Sequence, residues 1–112
     1  MKKLLIPSIF FVLLISFSFE QKPYKVVFYN LENFFDTIND PEVLDDEFTP
    51  DGPKKWNTAK YNKKLNNTER VLFDIAAIDK NYPIVIGVSE VETRGVLEDI
   101  VATPKLAPAN YR

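Results

Sequence analysis

The sequence predicts a mixed α/β fold built on one strand–helix–strand unit. A β-branched and aromatic run, YKVVFY, predicts a strand over residues 24–30, and an apolar run, IVIGV, predicts a second strand over residues 84–89. Between them lies a segment with helical periodicity. A helix that crosses between two strands makes those strands parallel. The 112 residues, 46% of them hydrophobic, are enough for one small globular domain.

The first strand leads into a long polar loop, residues 30–56. It is rich in acidic residues and contains prolines that interrupt helices and strands, at positions 41, 50 and 53. Loops of this length in compact domains often carry function. Read from Asp45, Asp46 or Asp51, the ligand spacing of a helix–loop–helix calcium site fails, so that type of site is excluded.

A long amphipathic helix follows the loop, capped by Asn57 or Thr58. Its inward positions recur at steps of three and four: Tyr61, Leu65, Thr68, Leu72, Ile75 and Ala76. The basic residues of this helix fall mostly on the opposite face, where a solvated surface is the expected role: Lys60, Lys63, Lys64 and Arg70. The second strand, apolar on both faces, predicts a central, covered position. A short helix from Thr93 to Val101 comes after it.

Asn30 and Glu90 end the two predicted strands. Parallel neighbouring strands finish at the same edge of a sheet, where ligands of α/β proteins commonly bind, so both side chains should share one crevice. One carboxylate and one amide suit Mg²⁺, with Mn²⁺ or Ca²⁺ as alternatives, whereas the absence of Cys and His excludes a thiolate or imidazole metal site. Turn formation and helix capping are the competing explanation for both residues.

Residues 1–20 have the pattern of a secretory signal peptide. A basic start is followed by an apolar run and by small residues at positions 16 and 18. The alternative is a membrane anchor over residues 4–19, although the run is short for a spanning helix. We therefore expect export to the periplasm or the extracellular space, with no stable membrane association after cleavage. A chain without cysteine has neither disulfides nor an N-terminal lipidated cysteine.

Three blocks in order, YKVVFYNLENFFDT, DDEFTPDGPKKWNTAKYNKKL and PIVIGVSEVETRGVLEDIV, resemble the N-terminal part of the endonuclease/exonuclease/phosphatase superfamily, which has the deoxyribonuclease-I-like fold. The resemblance implies a four-layer αββα sandwich and metal-dependent hydrolysis of a phosphoester, nucleic acid being one candidate. It implies that Glu90 binds the divalent cation and that Asn30 helps to bind metal and phosphate. Further candidates on the same basis rank lower: Glu32, Asn33, Asp36 and Glu92.

The chain also departs from that superfamily. Where members often have Leu-Gln-Glu, this sequence has Val88-Ser89-Glu90, and the histidine that serves as their general base is missing. Residues 21–112 are therefore expected to form the N-terminal portion of a truncated domain that binds Mg²⁺ weakly and hydrolyses nothing alone. A net charge of −2 gives no basic field for nucleic acid. A non-catalytic exported binding module is the alternative function.

Overall fold

The computed structural model describes residues 22–112. The chain forms strand β1 (Val26–Phe34), helix α1 (Thr58–Ala77), strand β2 (Val85–Val91) and helix α2 (Arg94–Val101), with single 3-10 turns at Asp46–Phe48 and Ala107–Ala109. The two strands pair in parallel, which confirms the predicted strand–helix–strand unit and the mixed α/β class. The predicted signal peptide, residues 1–20, lies outside the described residues. Within residues 22–112, no helix has the length and apolar character needed to cross a membrane.

Strand β1 runs four residues past Asn30, so the predicted end at that residue is wrong. Regular pairing reaches Asn30 opposite Ser89, is interrupted, and resumes with Phe34 opposite Val91. Over this interval β1 advances four positions while β2 advances two, which is a β-bulge.

The bulge decides which side chains of β1 reach the core. In a regular strand, Leu31 and Phe34 would point to opposite faces, because successive side chains alternate. Here both are buried, with 2% and 0% of their surface exposed. Glu32 (φ 53°) and Asn33 (φ 58°) adopt the left-handed conformation that turns the chain between them. The residues predicted to follow a strand end instead make a kink within the strand.

Both helices begin and pack as the sequence predicts. The Asn57 side chain accepts a hydrogen bond from the backbone N–H of Lys60 (3.1 Å), and Thr93 caps α2 in the same way. The Tyr61 hydroxyl donates to Asp99, which joins α1 to α2, and burial together with this carboxylate raises the pKa of the phenol. The core contains Leu31, Phe34, Tyr61, Leu72, Val96, Ile100 and Leu106.

The opposite face of the sheet is apolar and open in residues 22–112. Val26, Phe28 and Val85 are 68%, 73% and 52% exposed. The prediction that the second strand is covered on both faces is therefore wrong for this part of the chain. The apolar pattern of the strand is present, but the helices cover only one side of the pair.

The polar loop is held to the domain by aromatic side chains. Phe35 stacks on Phe48 with ring centroids 4.1 Å apart, and Trp56 meets Phe48 edge-on at 6.2 Å. The Trp56 indole N–H donates to the carbonyl of Phe35 (2.9 Å). The loop therefore closes back onto the end of β1 and stands next to the strand-end residues.

Candidate functional site

Asn30 and Glu90 meet where the regular pairing of the two strands is interrupted. Asn30 Nδ2 donates to Glu90 Oε1 at 3.1 Å, and both side chains are exposed. Asn30 Oδ1 accepts from the backbone N–H of Glu32 (3.0 Å), which fixes the orientation of the amide and turns its NH₂ group toward the carboxylate. The structure therefore brings the two predicted residues into direct contact, at an exposed position.

Strained backbone surrounds this contact. Glu90 has φ 56°, so it is left-handed like Glu32 and Asn33 on the facing strand. For residues other than glycine this conformation carries a cost, and it is found most often where surrounding structure imposes it, at functional sites in particular. Both strands thus kink at the same level. The kink presents the two polar side chains at the rim of the sheet.

The donor set fits a hard divalent cation held by few protein ligands. Glu90 is a single carboxylate with acceptor capacity beyond the hydrogen bond from Asn30. Across residues 22–112, no three Asp, Glu, His or Cys side chains are grouped closely enough to hold a metal ion. Mg²⁺ is commonly bound by one or two carboxylates, with water and phosphate oxygens completing its shell. Glu90 would therefore be the protein ligand of such a cation, and water or phosphate oxygens would complete the coordination.

Asp36 and Glu92 form a separate pair. Glu92 Oε2 accepts from the backbone N–H of Asp36 (2.9 Å). Asp36 Oδ1 in turn accepts from the N–H of Ile38 (2.7 Å), an Asx turn, and Oδ2 is 3.5 Å from the Thr93 hydroxyl that caps α2. These contacts fasten the start of the loop to the start of α2. Of the lower-ranked residues, Glu32 is hydrogen-bonded to Asn30, through its backbone N–H.

Glu92 is held in surroundings that disfavour its charge. Burial raises its pKa, and the nearby carboxylates of Asp36 and Asp45 raise it further, while the hydrogen bond from Asp36 N–H acts in the opposite direction. Asp45 is itself 1% exposed, and its Oδ1 has no hydrogen-bond partner among the described residues. The folded chain therefore binds a proton at Glu92 more tightly than the unfolded chain does.

We expect the Glu92→Gln variant to be more stable than the wild type at neutral pH. A raised folded-state pKa makes the wild type lose stability as pH rises from the ordinary glutamate value of 4.5 through the raised value. Glutamine cannot ionise and keeps an acceptor for Asp36 N–H, so its advantage should vanish in acid. Melting temperatures between pH 3.5 and 8 measure this, with Glu42→Gln, an exposed glutamate of the loop between β1 and α1, as the control. A variant less stable than the wild type at pH 7 would contradict the assignment.

The prediction that Lys64 lies on a solvated face is wrong, because its side chain is partly buried beside this contact. Its ammonium group donates to the backbone carbonyls of Glu32 and Asn33 and lies 5.4 Å from the ring centre of Phe34 and 5.7 Å from that of Trp56. Burial lowers its pKa, while Glu32 and Glu90 raise it. Position 64 lies one helical turn after the buried Tyr61, and that spacing is the signal that could have revealed it.

Comparison with known proteins assigns the chain to a family. A family model described as the Endonuclease/Exonuclease/phosphatase family matches residues 25–112, which include both strands, both helices and the Asn30–Glu90 contact. The chain belongs to this family. No curated protein and no solved structure matches the chain. The resemblance read from the three sequence blocks is thus confirmed, and at family level the chain belongs to a phosphoesterase and nuclease class of hydrolytic enzymes.

Proposed function

We propose that this chain supplies the metal-binding and phosphate-binding part of a Mg²⁺-dependent phosphoester hydrolase. The contact between Asn30 and Glu90 at the edge of the sheet carries the proposal, because it joins the carboxylate and amide that such a site needs. Glu90 would hold the cation, and a bound Mg²⁺ would polarise the phosphoryl oxygens of the substrate. Asn30 orients the Glu90 carboxylate through Nδ2 and presents the same amide to a phosphate oxygen.

An open groove of about 520 Å³ next to this contact supports an anionic substrate. Asn30 and Glu32 line one side of it, and α1 contributes exposed cationic side chains to the other: Lys60, Lys63 and Arg70. Cationic side chains beside a strand-end amide favour a ligand that carries phosphate. The groove does not discriminate among nucleic acid, another diester and a phosphomonoester.

Catalysis needs a further group. Activation of water in this chemistry uses a general base, and these 112 residues contain no histidine. We therefore propose that they bind a divalent cation weakly, Mn²⁺ or Ca²⁺ as well as Mg²⁺, without hydrolysing a phosphoester on their own. We also propose that residues 1–20 direct export. N-terminal sequencing of the chain recovered from cell fractions tests this, because a tethered chain keeps its first residues.

Metal titration tests the site itself. Mn²⁺ binding followed by electron paramagnetic resonance should be measurable for the wild type and undetectable for Glu90→Gln, which removes the anionic ligand while keeping the shape of the side chain. Asn30→Ala should weaken binding by about tenfold, a usual effect of losing a group that orients a metal ligand. Glu42→Gln serves as the control.

The same preparations should not hydrolyse a generic phosphodiester in the presence of Mg²⁺. Turnover by the wild type that disappears in Glu90→Ala would contradict the proposed inactivity and strengthen the assignment of the metal site. Unchanged Mn²⁺ affinity in Glu90→Gln would overturn the metal site and favour a non-catalytic binding module.

A further inference from the structure

The bulge in β1 exposes backbone groups that the strand pair does not use. Leu31, Glu32 and Asn33 have no register partner in β2. Backbone carbonyls that lose their ladder partner need another donor, from a side chain or from water. Here the donor comes from α1: the Lys64 ammonium group reaches the carbonyls of both left-handed residues, Glu32 and Asn33 (3.4 Å to the second).

Lys64 is itself confined on its other sides. Its ammonium group lies over the rings of Phe34 and Trp56, at 5.4 and 5.7 Å from their centres, which are favourable cation–π distances. Phe34 is fully buried, so this part of the surroundings is rigid. An ammonium group with three donors, placed between two aromatic rings and two carbonyls, is a fixed structural element rather than a solvated surface charge.

A short chain of contacts leads from Lys64 to the candidate metal site. Lys64 binds the carbonyl of Glu32, and the N–H of Glu32 donates to Asn30 Oδ1 (3.0 Å). Asn30 Nδ2 then donates to Glu90 Oε1 (3.1 Å). The left-handed Glu32 therefore stands between the lysine and the amide. If its conformation relaxes, the N–H that orients Asn30 turns away.

We propose that Lys64 is a positioning residue that keeps the β1 bulge in its left-handed conformation and thereby holds the Asn30 amide against Glu90. It acts through the backbone and is not itself a ligand of the cation. The role in metal binding rests on the proposed function, whereas the effect on Asn30 does not.

The Asn30 side-chain amide signals in a ¹H–¹⁵N spectrum test the inference directly. In Lys64→Met, which keeps the aliphatic stem and loses all three donors, they should move to the range of a free amide. Mn²⁺ affinity should fall by about tenfold, as when other orienting groups are lost. Lys64→Arg keeps charge and donors and should recover part of both effects. The control is Lys80→Met, because Lys80 is an exposed lysine just beyond α1 and outside the groove, and it should leave both unchanged.

Asn30 signals and Mn²⁺ affinity that stay at wild-type values in Lys64→Met would overturn the inference. If the wild type binds no Mn²⁺, the proposed function fails, yet the Asn30 signals still decide the role of Lys64. If Lys64→Met does not fold, Lys64→Gln replaces it, because its shorter stem withdraws the donor from the bulge and should shift the same signals.

Discussion

Replacement of Phe34 by alanine should lower the free energy of unfolding by about 3–5 kcal/mol, the usual cost of truncating a buried phenylalanine. Phe34 is 0% exposed and packs against Tyr61 with ring centroids 5.2 Å apart. It also forms part of the aromatic surroundings of Lys64. The loss is a large share of the 5–15 kcal/mol that typically stabilises a small domain.

Chemical denaturation followed by circular dichroism measures this effect, and Phe28→Ala provides a matched control. Phe28 lies on the same strand with 73% of its surface exposed, so its truncation should change stability by no more than about 0.5 kcal/mol. Equal losses in the two variants would contradict the burial pattern, because they would mean that the outer face of the sheet is packed as tightly as the inner one.

The proximity of Asn30 and Glu90 was predictable because it follows from topology, whereas the hydrogen bond between them also depends on the kinks in the two strands. Two hydrophobic runs joined through a helix must be parallel, and parallel strands bring their carboxyl ends together. Local patterns gave the helix caps, Thr93 for α2 and Asn57 or Thr58 for α1, since the capping side chain and the periodic residues after it are close in sequence. Features that depend on residues close in sequence, such as these caps, can be predicted from a single sequence.

The bulge was not predicted, because the local signals for it are weak. Asparagine adopts the left-handed conformation more readily than most residues, and Asn30 Oδ1 accepts from the nearby Glu32 N–H, but the pairing of Phe34 with Val91 depends on β2. Lys64 was assigned to the solvated face for a related reason: a lysine on a basic helix is usually solvated, and only the folded loop places Trp56 beside it. Features that depend on contacts between residues far apart in sequence are not predicted by local patterns.

Gly52→Ala is expected to open the loop between β1 and α1, which packs against the end of β1. A Cβ atom at position 52 would lie 2.1 Å from the backbone oxygen of Asp46 and 2.8 Å from Thr49 Oγ1, so the backbone itself would have to move. That movement is opposed by two hydrogen bonds, from Gly52 N–H to the Thr49 carbonyl (3.1 Å) and from Lys55 N–H to the Gly52 carbonyl (2.9 Å). We expect a loss of about 1–3 kcal/mol, the usual cost of forcing an added carbon into packed structure.

Trp56, the single tryptophan of the chain, reports on this change. Its backbone N–H donates to the Thr49 carbonyl (2.9 Å), so opening of the turn should release the indole and shift its fluorescence to longer wavelength. The matched control is Gly95→Ala in α2, where a new Cβ meets only Thr93 Oγ1 at 3.6 Å, an ordinary contact. Alanine at that helical position should stabilise by about 0.5–1 kcal/mol. Unchanged fluorescence and melting temperature in Gly52→Ala would show that the loop is not held by this turn.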